Sequence, residues 1–523
     1  MGGGNSRGHA VVIGASIAGL CAARVLSDFY QRVTVFERDE LPALPSNRTA
    51  VPQGRHVHLL MARGAMEFEE LFPGLLDGMV AAGVPILENR PDCIHFGAAG
   101  HVLGTGQTLR DQFTAYVPSR PQLEWQIRQR VYKISNVEIQ HRSVAQPRFD
   151  FDAQRVTGVL LDSDADEPDF VAADLVVDAA GRGTRLPVWL EQWGYQRPPE
   201  KTVDVGIGYA SHQFLLPEGA IRERVIVAGA SRQQPLGLGL LGYEDGGWVL
   251  TTFGVAKVEP PHTFPEMLAL AKKLLPDGAI RERVIVAGAS REQPRGLGLL
   301  GYEDGTWTLT TFGVAKVEPP HTFPEMLALA NTLLPERIAT ALQQAEPVGE
   351  VAFHRYPVSR WRRYHELDRF PAGILPLGDA VASFDPTYGQ GMTMTSLQAG
   401  HLRRALADDA GEDLVHRVNR ATAKSTYPVW MMTAIGDLTF HHATGDKPWW
   451  FGPVGSLFDQ FLGAAETDPV LAEWFLRRFS LLDSLYMVPS ARLVGRTIRH
   501  NMRLWRAERR AGRPERRGAL APH

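Results

Sequence analysis

Three separated clusters hold residues whose types and spacing could do chemistry. The first is Gly14-Ala15-Ser16-Ile17-Ala18-Gly19, with Glu37 lying 23 residues beyond Gly14. Glycine at the first position allows a tight turn. Glycine at the last lets a helix pack closely on a strand, and the free N–H groups of the helix N-terminus attract a pyrophosphate. Ser16 stands at the middle position and is small enough for close backbone approach to phosphate. A carboxylate at Glu37 can accept hydrogen bonds from ribose hydroxyls. The second cluster is Asp178-Ala179-Ala180-Gly181-Arg182-Gly183-Thr184-Arg185, a turn of small residues open to a cofactor. The third joins Gly378-Asp379-Ala380 to Pro386-Thr387-Tyr388-Gly389-Gln390-Gly391-Met392. A carboxylate there can bind the hydroxyls of a sugar or ribityl chain, and a glycine turn opening a helix aims N–H groups at partial negative charge.

The flanking sequence supplies elements to position these groups. Ala10–Ile13 is an apolar run suited to a buried parallel strand, after a polar, glycine-rich lead-in over Met1–His9. Leu20–Leu26 reads as a helix and Val33–Phe36 as a second strand, completing strand, turn, helix, strand and acid in the order of a dinucleotide-binding βαβ unit. Strands are expected at Asp174–Val177 and Gly373–Leu377, and a helix at Thr393–Leu406. Two further GxGxxG matches, Gly237–Gly242 and Gly296–Gly301, run into turns and strand-like segments with no helix to receive a phosphate, so they read as hairpins. They come as a pair because Leu215–Lys273 reappears as Leu274–Thr332, a period of 59 with 52 identical positions. Each copy predicts a strand, a hairpin and a helix, the first at Val225–Ala228, Gly237–Gly254 and Thr263–Leu270. Two copies are too few for a solenoid, so the reading is a duplication inside one domain.

Composition bounds the function classes. The chain has 523 residues, 44% hydrophobic and 22% charged, with a formal net charge of −3. That is an ordinary globular make-up without the basic field of a nucleic-acid binder. No stretch approaches the roughly 18 apolar residues of a membrane span. The start lacks the apolar core of a secretory signal. Two cysteines, Cys21 and Cys93, cannot build a disulfide framework, which fits a cytoplasmic location.

The combined motifs resemble the single-component, FAD-dependent aromatic hydroxylase and epoxidase class of flavoprotein monooxygenases. Val51–His58, Ser119–Glu124, and Gly181–Arg185 followed by Trp189-Leu190-Glu191 are similar to the branch containing bacterial polyether alkene epoxidases. The resemblance implies an α/β fold: a Rossmann-like FAD domain of glutathione-reductase type, an inserted β-rich substrate domain and a helical C-terminal region. Residues 1–75, 112–190 and 354–410 would form the FAD domain. Residues 76–111 and 191–353 would form the substrate domain, and 411–523 the helical region. It implies that Gly14, Ser16 and Gly19 hold the pyrophosphate and Glu37 the adenosine ribose, with Arg38 beside it. Arg120, with Arg48 or Arg55, would contact phosphates or ribityl. Asp379 would bind the ribityl chain, and Pro386, Gly389, Gly391 and Met392 would frame the flavin edge. NAD(P)H and O₂ are the implied co-substrates, acting through a flavin C4a-hydroperoxide on a small organic substrate of secondary-metabolite type. Where the class usually has Gly-Ala-Asp-Gly, this chain has Asp178-Ala179-Ala180-Gly181.

Other readings make distinct demands. A flavin halogenase characteristically carries Trp-x-Trp-x-Ile-Pro, which is absent here. A flavin reductase or dehydrogenase, or a non-catalytic FAD-binding remnant, would lack NAD(P)H-driven oxygen uptake. No acid or base stands out: Tyr388, His354 and His365 are as readily structural, so catalytic residues stay unassigned. His56 and His58 lack the companions of a metal site. Arg360-Trp361-Arg362-Arg363 reads as a surface turn. Between Arg492 and Arg517 lie ten arginines and two glutamates. That block reads as a solvated helix or tail, or as a docking surface for an acidic carrier protein or a membrane face.

Overall fold

The computed structural model describes residues 7–49, 51–88, 94–98, 101–104, 114–163, 169–214, 225–228, 236–242, 248–254, 262–263, 286–287, 295–301, 307–313, 320–322, 324, 347–439 and 443–511. Five parallel strands form its first sheet. These are β1 (Arg7–Ile13), β2 (Tyr30–Glu37), β3 (Val137–His141), β4 (Leu175–Asp178) and β7 (Ile374–Pro376), in the order β7-β4-β1-β2-β3. The apolar run Ala10–Ile13 arises because both faces of this sheet are covered. Side chains alternate along a strand. Ala10, Val12, Val33, Val35, Val177 and Leu375 therefore face one core, shared with helices α1 (Ile17–Ser27), α2 (Ala62–Leu71), α3 (Arg120–Val131) and α4 (Gly391–Ala407). Val11, Phe36, Val176 and Ile374 face the other, shared with the three-stranded antiparallel sheet of Val144–Asp150, Arg155–Leu161 and Asp169–Ala172.

The first strand begins earlier than its hydrophobicity implies. Arg7–His9, expected in the lead-in, belong to β1: Arg7 pairs with Tyr30, and the His9 N–H donates to Asp174 Oδ2 at 2.8 Å. Polar residues at a sheet end are held by such bonds, which periodicity does not register. Met1–Ser6 lie outside the described residues, as does Cys93.

A second, larger sheet is built on two long antiparallel strands, β5 (Glu200–Phe214) and β6 (Pro347–Arg362), joined from Glu200↔Arg362 to Phe214↔Pro347. Both GxGxxG decoys are strands within it. Leu236–Gly242 pairs antiparallel with Trp248–Gly254, and Arg295–Gly301 with Trp307–Gly313. The two copies address β5 in one register. Tyr209 pairs with Phe253, while its neighbour Ala210 pairs with Thr311, the second copy's counterpart of Thr252. The helix expected at Thr263–Leu270 lies outside the described residues beyond Thr263.

The surface turn expected at Arg360–Arg363 is a correction. Arg360–Arg362 end β6, and Trp361 and Arg362 are buried. Trp361 stacks on His365 and packs near Trp430. After α4 the described residues are mostly helical, in α5 (Leu414–Leu438), α6 (Phe451–Ala465), α7 (Pro469–Phe479) and α8 (Ala491–Ala511), with the short strand Thr444–Gly445 pairing on β5. Among the described residues no helix is long and apolar enough to cross a membrane.

Candidate functional site

The three clusters, far apart in sequence, meet at the first turn of α1. Gly14 sits at φ +96°, and a Cβ there would lie 2.9 Å from the Ala179 carbonyl oxygen, so the first turn abuts the second. A Cβ at Gly19 would collide with the Gly14 carbonyl oxygen. Gly378, at φ +71°, would place a Cβ 2.7 Å from the Ala18 methyl, so the third cluster packs on the same helix start. At positions 14 and 378 only glycine combines a positive φ with these approaches, and at 19 the close approach alone excludes a side chain. Ser16 occupies the N-cap of α1, but its side chain does not cap the helix. Its hydroxyl instead accepts from Arg120 Nη2 at 2.9 Å and lies 3.4 Å from Glu124.

Behind this turn is a buried charge cluster. Glu124 accepts from Arg48 Nε at 2.8 Å, and Arg120 Nη1 stands 2.8 Å and Arg128 Nη1 3.8 Å from its carboxylate. All four side chains are buried. Arg120 and Arg48 lead the interactions that hold the Glu124 carboxyl below the usual range, overcoming the upward push of burial. Glu37 accepts from the Ala15 N–H at 2.8 Å and the Asp39 N–H at 3.1 Å, with Arg48 Nη1 3.2 Å away. A carboxylate has about four lone-pair sites, so room for a hydroxyl donor remains. Arg48 Nη2 is buried with no hydrogen-bond partner among the described residues.

Asp379 follows β7 in a short 3-10 turn, where burial pushes its carboxyl up and Arg182, Arg120 and Arg362 pull it back. Arg120 thus bears electrostatically on both the dinucleotide turn and Asp379. Arg362 ties the second cluster to the third: it donates to the Arg182 carbonyl at 3.0 Å and to the Ala380 carbonyl at 3.1 Å. Asp178 is fully buried, accepting from the Ala180 N–H at 3.0 Å and from the Thr184 hydroxyl. It shapes its own turn, which accounts for an aspartate two positions before the place where the resembling class carries one.

Pro386–Tyr388 form a 3-10 turn, Gly389 turns at φ +65°, and α4 starts at Gly391. The Gly389 and Gly391 positions and Met392 therefore lie at the positive end of a 17-residue helix. Gln390, wholly buried, donates to the Phe479 carbonyl at 2.9 Å, so the C-terminal helices brace this loop. Tyr388 reaches α5, its hydroxyl lying against Gly436, with buried Asp437 next to it. Burial, then the charge of the neighbouring Asp385, raises the Asp437 carboxyl well above the usual range.

Two of the sequence-predicted residues sit apart. The Arg38 side chain is 71% exposed, 3.9 Å from Asp39, and Arg55 is exposed at the end of a 3-10 turn. Pro386, the first residue of its 3-10 turn, is exposed. His56 is buried against Ser211, and the His58 Nδ1–H donates to the His56 carbonyl at 2.9 Å. Burial and the Arg120 charge push His58 down to about 3, so it is neutral at physiological pH. Sequence reading missed Glu124, Arg362 and Asp437. The Arg120, Glu124, Arg128 spacing of four on a helix was a usable signal for Glu124.

This fold is shared with flavin-dependent oxygenases and halogenases. The p-nitrophenol 4-monooxygenase PnpA from Pseudomonas putida DLL-E4 superposes with a TM-score of 0.55 at 15% identity, over 91% of this chain and 98% of that one. A flavoprotein/dehydrogenase from Cytophaga hutchinsonii gives 0.54 at 12% identity, over 90% and 92%. The flavin-dependent brominase Bmp2 gives 0.53 at 13% identity, over 96% and 100%. In sequence, the chain is 62% identical over 519 residues to Protein Rv3254 of Mycobacterium tuberculosis (strain ATCC 25618 / H37Rv), spanning 98% of this chain and 97% of the relative. Residues 445–511 match the family model described as Mycobacterium Rv3254 C-terminal domain. The chain belongs to the Rv3254 family.

Proposed function

We propose that the protein is an FAD-dependent monooxygenase that uses NADH or NADPH and O₂ to hydroxylate or epoxidise a small organic substrate. The balanced reaction places one oxygen atom in the substrate and one in water, with NAD(P)H supplying the electron pair. The observation that carries this reading is the meeting of three sequence-distant clusters at the start of α1, with Arg120 bearing on both Ser16 and Asp379. The local chemistry fits the cofactor: a glycine cradle a Cβ would fill, a buried guanidinium nitrogen with no hydrogen-bond partner among the described residues, and a carboxylate at a strand end.

Gly14, Ser16 and Gly19 would admit the pyrophosphate, with Arg48 and Arg120 balancing its charge. Glu37 would receive the adenosine ribose, Arg38 would lie at its outer edge, and Asp379 would receive the ribityl hydroxyls. Pro386, Gly389, Gly391 and Met392 would frame the isoalloxazine at the positive end of α4. FAD, when bound, supplies the redox chemistry and oxygen activation. The chain's own part is to fix the cofactor, exclude water and orient the acceptor. On this reading the strand order and the glycine turns belong to a glutathione-reductase-type FAD domain with an inserted substrate domain, in a protein of the cytoplasm.

Purified protein in an oxygen electrode tests the reading. NADH- or NADPH-driven oxygen consumption dependent on bound FAD is expected. Flavin-loaded protein inert toward both nicotinamides and oxygen would defeat it in favour of a non-catalytic flavin binder.

A further inference from the structure

We propose that α8 (Ala491–Ala511) docks the protein on an anionic membrane surface. The helix packs on its neighbours by one edge. Thr497 is buried, His500 hydrogen-bonds Thr467 at 2.7 Å, Asn501 donates to the Gln460 carbonyl at 3.1 Å, and Arg496 donates to Asp468 at 2.6 Å. Two other faces remain outward. Val494, Ile498, Met502 and Trp505 are 39–54% exposed and fall within about 80° of arc at 3.6 residues per turn. Arg492, Arg499, Arg503 and Arg506 are exposed on a second arc, centred about 120° from the first.

From Ala491 to Arg506 the chain holds no acidic residue, although the whole protein is slightly acidic. An apolar stripe that includes tryptophan, flanked by unbroken arginine, is the pattern of a helix lying in a membrane interface. The stripe does not stand alone. Asn501 seats on Gln460, and Leu457, one turn away on α6, is 64% exposed. The occupant is set by charge complementarity: four arginines on one arc attract anionic headgroups, while the neighbouring stripe buries into the acyl boundary.

The test is flotation of the full chain with vesicles of phosphatidylcholine alone or with one-third phosphatidylglycerol. Binding to the anionic vesicles only, weakening with salt, is expected. Arg499→Gln/Arg503→Gln/Arg506→Gln should weaken it roughly a hundredfold, at about fivefold per arginine near the surface. Ile498→Ser/Trp505→Ser should weaken it about tenfold or more through lost apolar burial. These side chains are exposed, and an unchanged thermal melt shows each variant folded; if the apolar variant unfolds, the arginine variant decides. Equal binding to neutral vesicles, or binding indifferent to both variants, overturns the proposal. So does absence of vesicle binding where an acidic carrier protein is bound through the same arginines, or where the stripe proves to join two copies of the chain. Vesicle binding needs no flavin, so the result is independent of the oxygenase reading.

Discussion

Glu124→Gln removes the carboxylate shared by Arg48, Arg120 and Arg128 while keeping its volume. At an effective dielectric near 20, contacts at 2.8, 2.8 and 3.8 Å are each worth roughly 4–6 kcal/mol in Coulomb attraction. Removing the carboxylate from water offsets several kcal/mol of that. Breaking such a buried cluster costs about 3–5 kcal/mol net, because guanidinium groups are left uncompensated. The structure adds a condition. Arg120 also contacts Ser16 at the proposed pyrophosphate turn, so a bound dinucleotide would restore part of the lost negative charge. The variant should therefore lose about 3–5 kcal/mol when flavin-free and visibly less with FAD bound, read by denaturant unfolding of both forms. The pH dependence has a definite sign. Arginine holds the Glu124 carboxyl below its ordinary 4.5, so its stabilisation is present above that pH and fades as the pH falls through the lower folded value. The gap between wild type and variant should close on acidification. Equal losses with and without FAD, or a gap that widens at low pH, would refute the reasoning.

Three further outcomes follow from particular contacts. Deleting Leu274–Thr332, or Leu215–Lys273, should give soluble proteins with a melting temperature no lower than the parent, because both copies compete for one register on β5; two aggregated products would show the second copy to be integral. His101, between Asp459 at 3.1 Å and Glu466 at 2.7 Å, is raised to about 9 against the downward pull of burial. Its stabilisation is full below 6.5 and lost as pH rises through about 9, so His101→Gln should cost about 1–2 kcal/mol at pH 6, allowing for exposed partners, and little at high pH by urea titration. Asp437 is held protonated by burial, so Asp437→Asn should be at least as stable at neutral pH, with the advantage shrinking as the pH falls toward 3.8; a loss above about 1 kcal/mol would mean that the charged form is needed.

The β1-α1-β2 unit was legible because its signals are local. A buried apolar run, a glycine turn and a following carboxylate each sit within one stretch of chain. Asp379 and the Gly389–Met392 helix start were legible for the same reason, as a strand end and a helix opening. What joins them was not. Arg362 and Asp437 act across 180 and about 50 residues of chain respectively, and no periodicity marks which arginine of Arg360, Arg362 and Arg363 turns inward. Arg362 is buried because the Arg182 and Ala380 carbonyls await its donors, a fact of tertiary contact alone. Likewise Arg7–His9 join a strand through Asp174 and not through their own polarity.

The most direct test of the central claim is an FAD titration of flavin-stripped wild type and Gly14→Val, followed by the visible absorption of the bound flavin. At φ +96° and 2.9 Å from the Ala179 oxygen, position 14 cannot accept a branched side chain without moving the turn. Wild type should take up one FAD per chain. The variant, shown folded by its far-ultraviolet dichroism, should take up almost none, and Asp379→Asn should bind with reduced affinity. A wild type that binds no FAD, or a folded Gly14→Val that binds it as well as wild type, would contradict the assignment of the site.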